Sequence, residues 1–389
     1  MGRRTGTVVL AVALGACAAP GPTAPAPVAP PEVVVQVPDV ASDLDGWTLP
    51  DPGPAERDEI LASPMTRDPE FRRAVARWVD FWRTSGARWF PEYLERMTWF
   101  SPTVDSALAS RGLPPSLRYL PIVESGYSPR AVSRVSAVGL WQFMAPTARG
   151  YGMWVGPLLD ERRNPFKSTE AAADFLLQLR DQFGSWFLAL AAYNSGPYRI
   201  QRILDRYAPL SPRSDSLYWA LRDRMPRETR DFVPKFYAAA LVAENPGAHG
   251  FDLPIGDEGF DFDEVTVPDA TTLDVVAQAA DTSQEEIERL NPEVVRGITP
   301  PGKVTALRVP AGHGAIFEEN YPKIPPSERV TFVEHRVVRG ETLTHIARRY
   351  RIPLGDLRAA NPGVNPRRLQ IGQRLTVPIA PSARGRHAG

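Results

Sequence analysis

Tyr119-Leu120-Pro121-Ile122-Val123-Glu124-Ser125-Gly126-Tyr127-Ser128-Pro129 is the stretch on which the reading of this chain turns. Leu117, Leu120 and Val123 recur at helical spacing, so the segment is expected as a helix whose last residue is Glu124. The same period spreads outward. Phe71, Val75, Trp78, Val79 and Trp82 predict an amphipathic helix from Asp68 to about Arg88, with Asp68-Pro69 as cap and first-turn proline. Ser101-Pro102 is expected to open a second helix that Gly112 closes. Further helices are expected from Gly139 to Ala148, Ser168 to Phe183, Trp186 to Asn194 and Glu228 to Glu244. Almost no strand-like alternation occurs between 68 and 245, so this part is mainly α.

Beyond 260 the pattern changes to an internal repeat at an offset of 70 residues. Val265-Thr266-Val267 aligns with His335-Arg336-Val337, Thr272-Leu273 with Thr342-Leu343, and Asn291-Pro292 with Asn361-Pro362. Each copy ends in a short strand before proline, Leu307-Arg308-Val309-Pro310 and Leu375-Thr376-Val377-Pro378, so each reads as a compact βααβ unit. Ser283 and Glu286 form a capping box in the first. The second copy, with Arg339-Gly340-Glu341-Thr342-Leu343 and Ile371-Gly372-Gln373, resembles the LysM module, which implies binding of N-acetylglucosamine-containing glycans. The first copy lacks the Gly-Glu-Thr turn and reads as a degenerate, LysM-like spacer.

The N-terminus reads as a targeting segment. Arg3-Arg4 precede the apolar run Val8 to Leu14, which is too short to span a bilayer as a helix, and the chain's one cysteine follows in Leu14-Gly15-Ala16-Cys17. This resembles the bacterial lipoprotein cleavage box, implying acylation of Cys17 and attachment to a membrane surface. Ala18 in the next position implies, by the same resemblance, the outer membrane of a Gram-negative cell with the protein facing the periplasm. Prolines then recur to Pro54, as in an extended tether that at ~3.1 Å per residue reaches on the order of 100 Å.

Composition excludes little but is useful where it does. Across 389 residues, 45 Lys+Arg balance 45 Asp+Glu, so no global charge steers the chain to nucleic acid. The five histidines are scattered without cysteine companions, so neither a metal nor another cofactor is expected.

The chemistry gathers in three blocks. Glu124-Ser125 is followed by Gly139-Leu140-Trp141-Gln142-Phe143-Met144 and then by Ala192-Tyr193-Asn194-Ser195-Gly196. Together they place one carboxyl, two amides and a phenol among small and apolar residues. Glycosidic cleavage needs an acid that stays protonated near neutral pH, and a glutamate emerging from an apolar helix end meets that need through desolvation. In this order the blocks resemble the lytic transglycosylase family, and Pro226-Arg227-Glu228-Thr229-Arg230-Asp231-Phe232-Val233-Pro234 extends the likeness. The resemblance implies a lysozyme-like fold and cleavage of peptidoglycan glycan strands by one glutamate. Carried over by position, Glu124 is the acid and then the base, while Ser125, Ser133, Gln142, Met144, Tyr193 and Asn194 shape the groove or hold substrate.

Three readings stay open at this stage: a lytic transglycosylase, a lysozyme-type muramidase, and a non-catalytic wall-binding lipoprotein. A hydrolase needs a second carboxylate, for which Asp105, Asp160 and Glu161 are candidates. The expected organisation is a leader at 1–17, a tether at 18–67, a lysozyme-like helical domain at 68–250, α+β modules at 260–312 and 334–379, and a tail at 380–389.

Overall fold

A computed structural model describes residues 58–252, 260–350 and 352–378. Cys17, the proline-rich tether up to 57 and the tail lie outside the described residues. The described residues divide into two compact units, the first holding 58–155, 161–252 and 260, the second 156–160, 261–350 and 352–378.

The first unit is helical: α1 Pro69–Arg83, α2 Phe90–Ala109, α3 Leu120–Ser125, α4 Ala145–Gly150, α5 Pro165–Phe183, α6 Trp186–Ser195, α7 Pro197–Tyr207, α8 Asp215–Leu221 and α9 Arg227–Glu244. Asp68 caps α1 as expected, its Oδ1 accepting the Phe71 N–H at 2.8 Å. Helix α6 is apolar all round, Trp186 to Ala192 being buried without a break, which makes it the central rod of the core. Against it pack α5, α7 and α9, and Phe71 of α1 stacks on Phe187 at 5.4 Å while meeting Trp219 and Tyr237 edge-on.

Several expected boundaries are corrected. Helix α1 stops at Arg83 rather than Arg88. The second helix starts at Phe90, with Pro91 in its first turn, and carries Pro102 inside it instead of beginning there. No helix starts at Gly139, because Gly139 (φ 86°) and Gln142 (φ 50°) are both left-handed; the turn that does form is α4. Helix α5 begins three residues early, at Pro165, where Asn164 Oδ1 accepts the N–H groups of Phe166 and Lys167. Helices α7 and α8 were not anticipated.

The second unit contains two strand pairs. β1 (Phe262–Val267) runs antiparallel to β2 (Thr305–Pro310), with Phe262 opposite Pro310, and α10 (Leu273–Ala279) and α11 (Gln284–Leu290) lie between them in sequence. α12 (Gly314–Asn320) follows β2. β3 (Phe332–Arg336) and β4 (Arg374–Pro378) enclose α13 (Leu343–Tyr350) and α14 (Leu354–Ala359) in the same way. Both copies are therefore βααβ. Ser283 caps α11 through the Glu286 N–H at 3.1 Å, but the Glu286 carboxylate turns to Arg289 rather than completing the box. The second unit also takes in 156–160: Leu159 bridges Val294, and the Asp160 N–H donates to the Glu293 carbonyl at 2.9 Å.

Candidate active site

Glu124 sits in the last turn of α3, whose own residues are too few to be stable alone; its neighbours hold it. Gly126 ends the helix at φ 59°, where a Cβ would overlap the Tyr93 ring, and the Arg96 Nε–H donates to the Gly126 carbonyl at 2.8 Å. The buried Tyr127 anchors the exit by donating its hydroxyl to the Arg118 carbonyl at 2.6 Å.

The second block is a loop pinned from three helices. Ser125 Oγ (α3) donates to the Leu140 carbonyl at 2.8 Å, Tyr193 OH (α6) to the Trp141 carbonyl at 2.7 Å, and the buried Trp141 indole donates to Thr169 Oγ1 (α5) at 2.9 Å. Gly139 has no room for a side chain, since a Cβ would overlap the Arg162 carbonyl. Gln142 Nε2 donates to the Gly139 carbonyl at 2.8 Å, and Ser133 Oγ accepts the Ala137 N–H at 3.0 Å. Met144 is 42% exposed. Asn194, at the end of α6, is tied to the start of α9: its Oδ1 accepts from Thr229 Oγ1 at 2.8 Å, and its Nδ2 donates to Glu228 Oε1 at 3.4 Å.

Burial pushes the Glu124 carboxyl up to about 8, against the pull of the Lys235 ammonium and with a further push from the Glu228 carboxylate. Burial in turn lowers Lys235, which Glu124 and Glu228 help to keep charged. Lys235 lies 3.4 Å from the Val123 carbonyl and faces the rings of Trp78 and Trp82, each at 5.6 Å. Tyr193 is held well above the usual phenol range by burial and by the Glu124 charge. The arrangement thus keeps a glutamic acid protonated at neutral pH with a cation beside it, which suits general acid work.

The structure brings Glu124, Ser125, Gln142 and Tyr193 into one hydrogen-bonded and electrostatic group through Leu140, Trp141 and Gly139. It gives several of them framework duties: the Tyr193 hydroxyl is engaged by Trp141 rather than by the glutamate, and Ser133 closes its own loop. The three carboxylates weighed as second catalytic groups are occupied elsewhere. Asp105 pairs with Arg118, Glu161 binds Lys167 Nζ at 2.6 Å and the Trp154 N–H at 2.7 Å, and Asp160 belongs to the second unit. None contributes to the shift at Glu124. Lys235 and Glu228, which do, were not read as site residues. Glu228 lies in the Pro226 to Pro234 stretch, and a lysine in the apolar run Phe232 to Val242 is the signal that points to a buried cation at Lys235, though not to its partner.

Residues 103–212 match the family described as the Transglycosylase SLT domain, 261–326 the LysM-like domain of lytic transglycosylase MltD, and 335–378 the LysM domain. The chain carries an SLT transglycosylase domain followed by LysM domains. Over 285 residues it is 30% identical to the membrane-bound lytic murein transglycosylase D of Escherichia coli K12, matching 70% of this chain and 62% of that protein. The chain thus spans less than two thirds of that relative. It is also 33% identical over 125 residues to intracellular hyphae protein 1 of Colletotrichum lindemuthianum, covering 29% of this chain and 51% of that one. The 70 kDa soluble lytic transglycosylase of Escherichia coli aligns with a TM-score of 0.31 at 24% identity, over 36% of this chain and 23% of its own. The SLT match contains Glu124 and the six residues expected to hold substrate, while Glu228 and Lys235 lie beyond it. The 261–326 match gives the first repeat a family of its own, with α12 inside it. Among the described residues no helix is long and apolar enough to cross a membrane, and no three His, Cys, Asp or Glu side chains are placed to share a metal ion.

Proposed function

We propose that this chain is a peptidoglycan lytic transglycosylase that cleaves the bond between N-acetylmuramic acid and N-acetylglucosamine and leaves 1,6-anhydro ends. The observation that carries the reading is Glu124, a carboxyl held protonated to about 8 by burial within the SLT domain. Glu124 gives its proton to the glycosidic oxygen as the C1–O bond breaks, and the substrate's own acetamido oxygen stabilises the cation. The resulting carboxylate, beside Lys235, takes the proton of the same sugar's 6-hydroxyl while that oxygen closes on C1. No water is consumed. Ser125, Ser133, Gln142, Met144, Tyr193 and Asn194 form and brace the groove, and the LysM domain at 335–378 holds the strand.

A muramidase is the competing reading, and one observation favours it: Glu228 is a carboxylate close enough to act on Glu124. Product chemistry decides. Digested sacculi should yield muropeptides one water lighter than muramidase products and inert to borohydride, and Glu124→Gln should lower turnover by at least ~100-fold. Reducible, hydrated muramic ends as the main product would assign the chain to the hydrolases.

The same reading places the protein at the outer membrane, facing the periplasm and anchored through acylated Cys17. The support is the Leu14-Gly15-Ala16-Cys17 box and a relative described as membrane-bound. Cys17→Ser should abolish incorporation of labelled palmitate; label persisting on the serine variant would contradict the anchor.

A further inference from the structure

Helix α7 presents a surface that the cleavage reaction does not use. Arg199, Arg202 and Arg206 fall at i, i+3 and i+7, and so on one face, while Ile200 and Leu204 are buried on the other. Tyr198 is 76% and Tyr207 45% exposed, unusual for side chains of that size. The arginines use these rings as braces. The Arg202 guanidinium lies 5.5 Å from the Tyr198 ring, and Tyr207 is flanked by Arg206 at 5.5 Å and Arg224 at 5.0 Å.

The charge on this surface is not neutralised locally. Nearby, Arg222 pairs with Glu70 at 2.7 Å and Arg230 with Asp223 at 3.3 Å. Among the described residues Arg199, Arg202, Arg206 and Arg224 form no ion pair, and the acid on α7, Asp205, takes the Gln201 amide at 2.7 Å. All the cations between 168 and 234 are arginines, with no lysine. Planar forks stiffened on aromatic faces are suited to carboxylates, which they bind through two parallel N–H groups.

Position indicates whose carboxylates. Helix α7 follows the Tyr193 to Gly196 block directly, and Asn194 is tied to Glu228 at the start of α9. Along α7, at ~1.5 Å per helical residue, Arg199 and Arg206 lie roughly 3 and 14 Å from the helix start at Pro197, the third residue after Asn194. An extended peptide of four or five residues spans about 13–17 Å.

We propose that this Arg–Tyr surface is a carboxylate-reading subsite for the acidic peptide attached to the glycan strand, an assignment that rests on the glycan-cleaving function proposed above. A substrate held at Glu124 would lay its peptide along α7, where the unpaired arginines take its carboxylates. Bare glycan would not engage the surface.

The test is a binding measurement, independent of turnover, on the full chain. A disaccharide-tetrapeptide, the same compound with its peptide carboxyls amidated, and the peptide-free disaccharide are titrated against wild type and against Arg202→Glu/Arg206→Glu. Both substitutions are at exposed positions, and thermal melts check that the fold is kept. Wild type should bind the carboxylate form about 5–10-fold more tightly than the other two, a preference that shrinks in about 0.5 M salt and disappears in the double variant. Equal affinity for all three ligands in wild type, or an unchanged preference in the double variant, would overturn the subsite. So would loss of binding to anionic phospholipid vesicles with the peptide preference intact, which would make the surface a membrane contact. Failure of the cleavage reading appears separately, as hydrated products from wild-type digestion.

Discussion

At the scale of single residues the balance at Glu124 is set by two opposed effects, burial raising its pKa and Lys235 lowering it. In the proposed mechanism Glu124 must be protonated to start the reaction, so the basic limb of the activity profile should fall near the value of about 8 at which it ionises. Lys235→Met removes the cation that stabilises the carboxylate, so the pKa rises and the limb moves to higher pH, by about one unit if the pair interacts with the ~1–2 kcal/mol usual for close charges partly screened by solvent. Lys235→Arg keeps the charge and should leave the limb near its original place. The readout is kcat against pH for both variants. A methionine variant that is slower at every pH with an unmoved limb would reduce Lys235 to a packing role. The desolvated setting of Glu124 was legible from sequence because an apolar helix end leads into it. Lys235 was not, because its importance depends on which helix packs beneath α3, and spacing along one chain does not report that.

Among elements, the loop from Gly126 to Met144 shows where sequence patterning fails. Toward its end Leu140, Trp141 and Phe143 are buried, which invites a helical reading from Gly139, yet the left-handed Gly139 and Gln142 preclude a helix there. Burial here comes from insertion of the loop between α3, α5 and α6, a tertiary cause. Pro102 misled in the opposite way: a proline usually starts a helix, but in α2 it is carried in the middle. Helix α7 was missed although Ile200 and Leu204 have the right spacing, because it is short and lies between Gly196 and Pro209. The repeat was legible since both copies keep their strand pair and buried aliphatics, and the lost turn has a substitute. Where Glu341 accepts the Val338 N–H at 2.8 Å in the second copy, Asp269 accepts the Ala270 and Gly302 N–H groups in the first. The loop's rigidity is testable at Gly139. Gly139→Ala must either abandon φ 86° or displace the Arg162 carbonyl, so a loss of about 2–4 kcal/mol in urea unfolding is expected, with kcat down at least ~10-fold as Leu140 and Trp141 shift. A variant matching wild type in both measurements would show that the loop tolerates movement.

For the whole molecule, the question is which parts can be removed without harming the rest. The sequence placed every candidate acid between 68 and 245 and so suggested that this segment suffices for cleavage. The division into units changes where the cut should fall. Residues 156–160, which lie in sequence between α4 and α5, belong to the second unit, where Leu159 is buried with Val265, Val294 and Leu307. Ending the chain at 250 strips Leu159 of those neighbours and leaves the Asp160 N–H and Leu158 carbonyl without their partners at Glu293 and Val295. Burying one leucine is worth about 2 kcal/mol, and each lost backbone hydrogen bond adds about 1 kcal/mol, enough to lower the melting temperature by several degrees. Ending it at 329 retains the 261–326 domain and removes the LysM domain with its own core of Val337, Leu343, Ile346, Leu357, Leu375 and Val377, together with the Thr331 hydrogen bonds to Thr272 and Asp274 and the Arg296–Glu334 ion pair. The longer truncation product, which keeps the partners of residues 156–160, should therefore melt closer to the full chain than the shorter one does, cleave soluble glycan strands at an undiminished rate, and bind sacculi more weakly. The shorter one should melt lower and cleave more slowly. Equal melting and equal cleavage by the two products would show that 156–160 folds without the second unit, and loss of soluble-strand cleavage at 329 would give the LysM domain a part in catalysis itself.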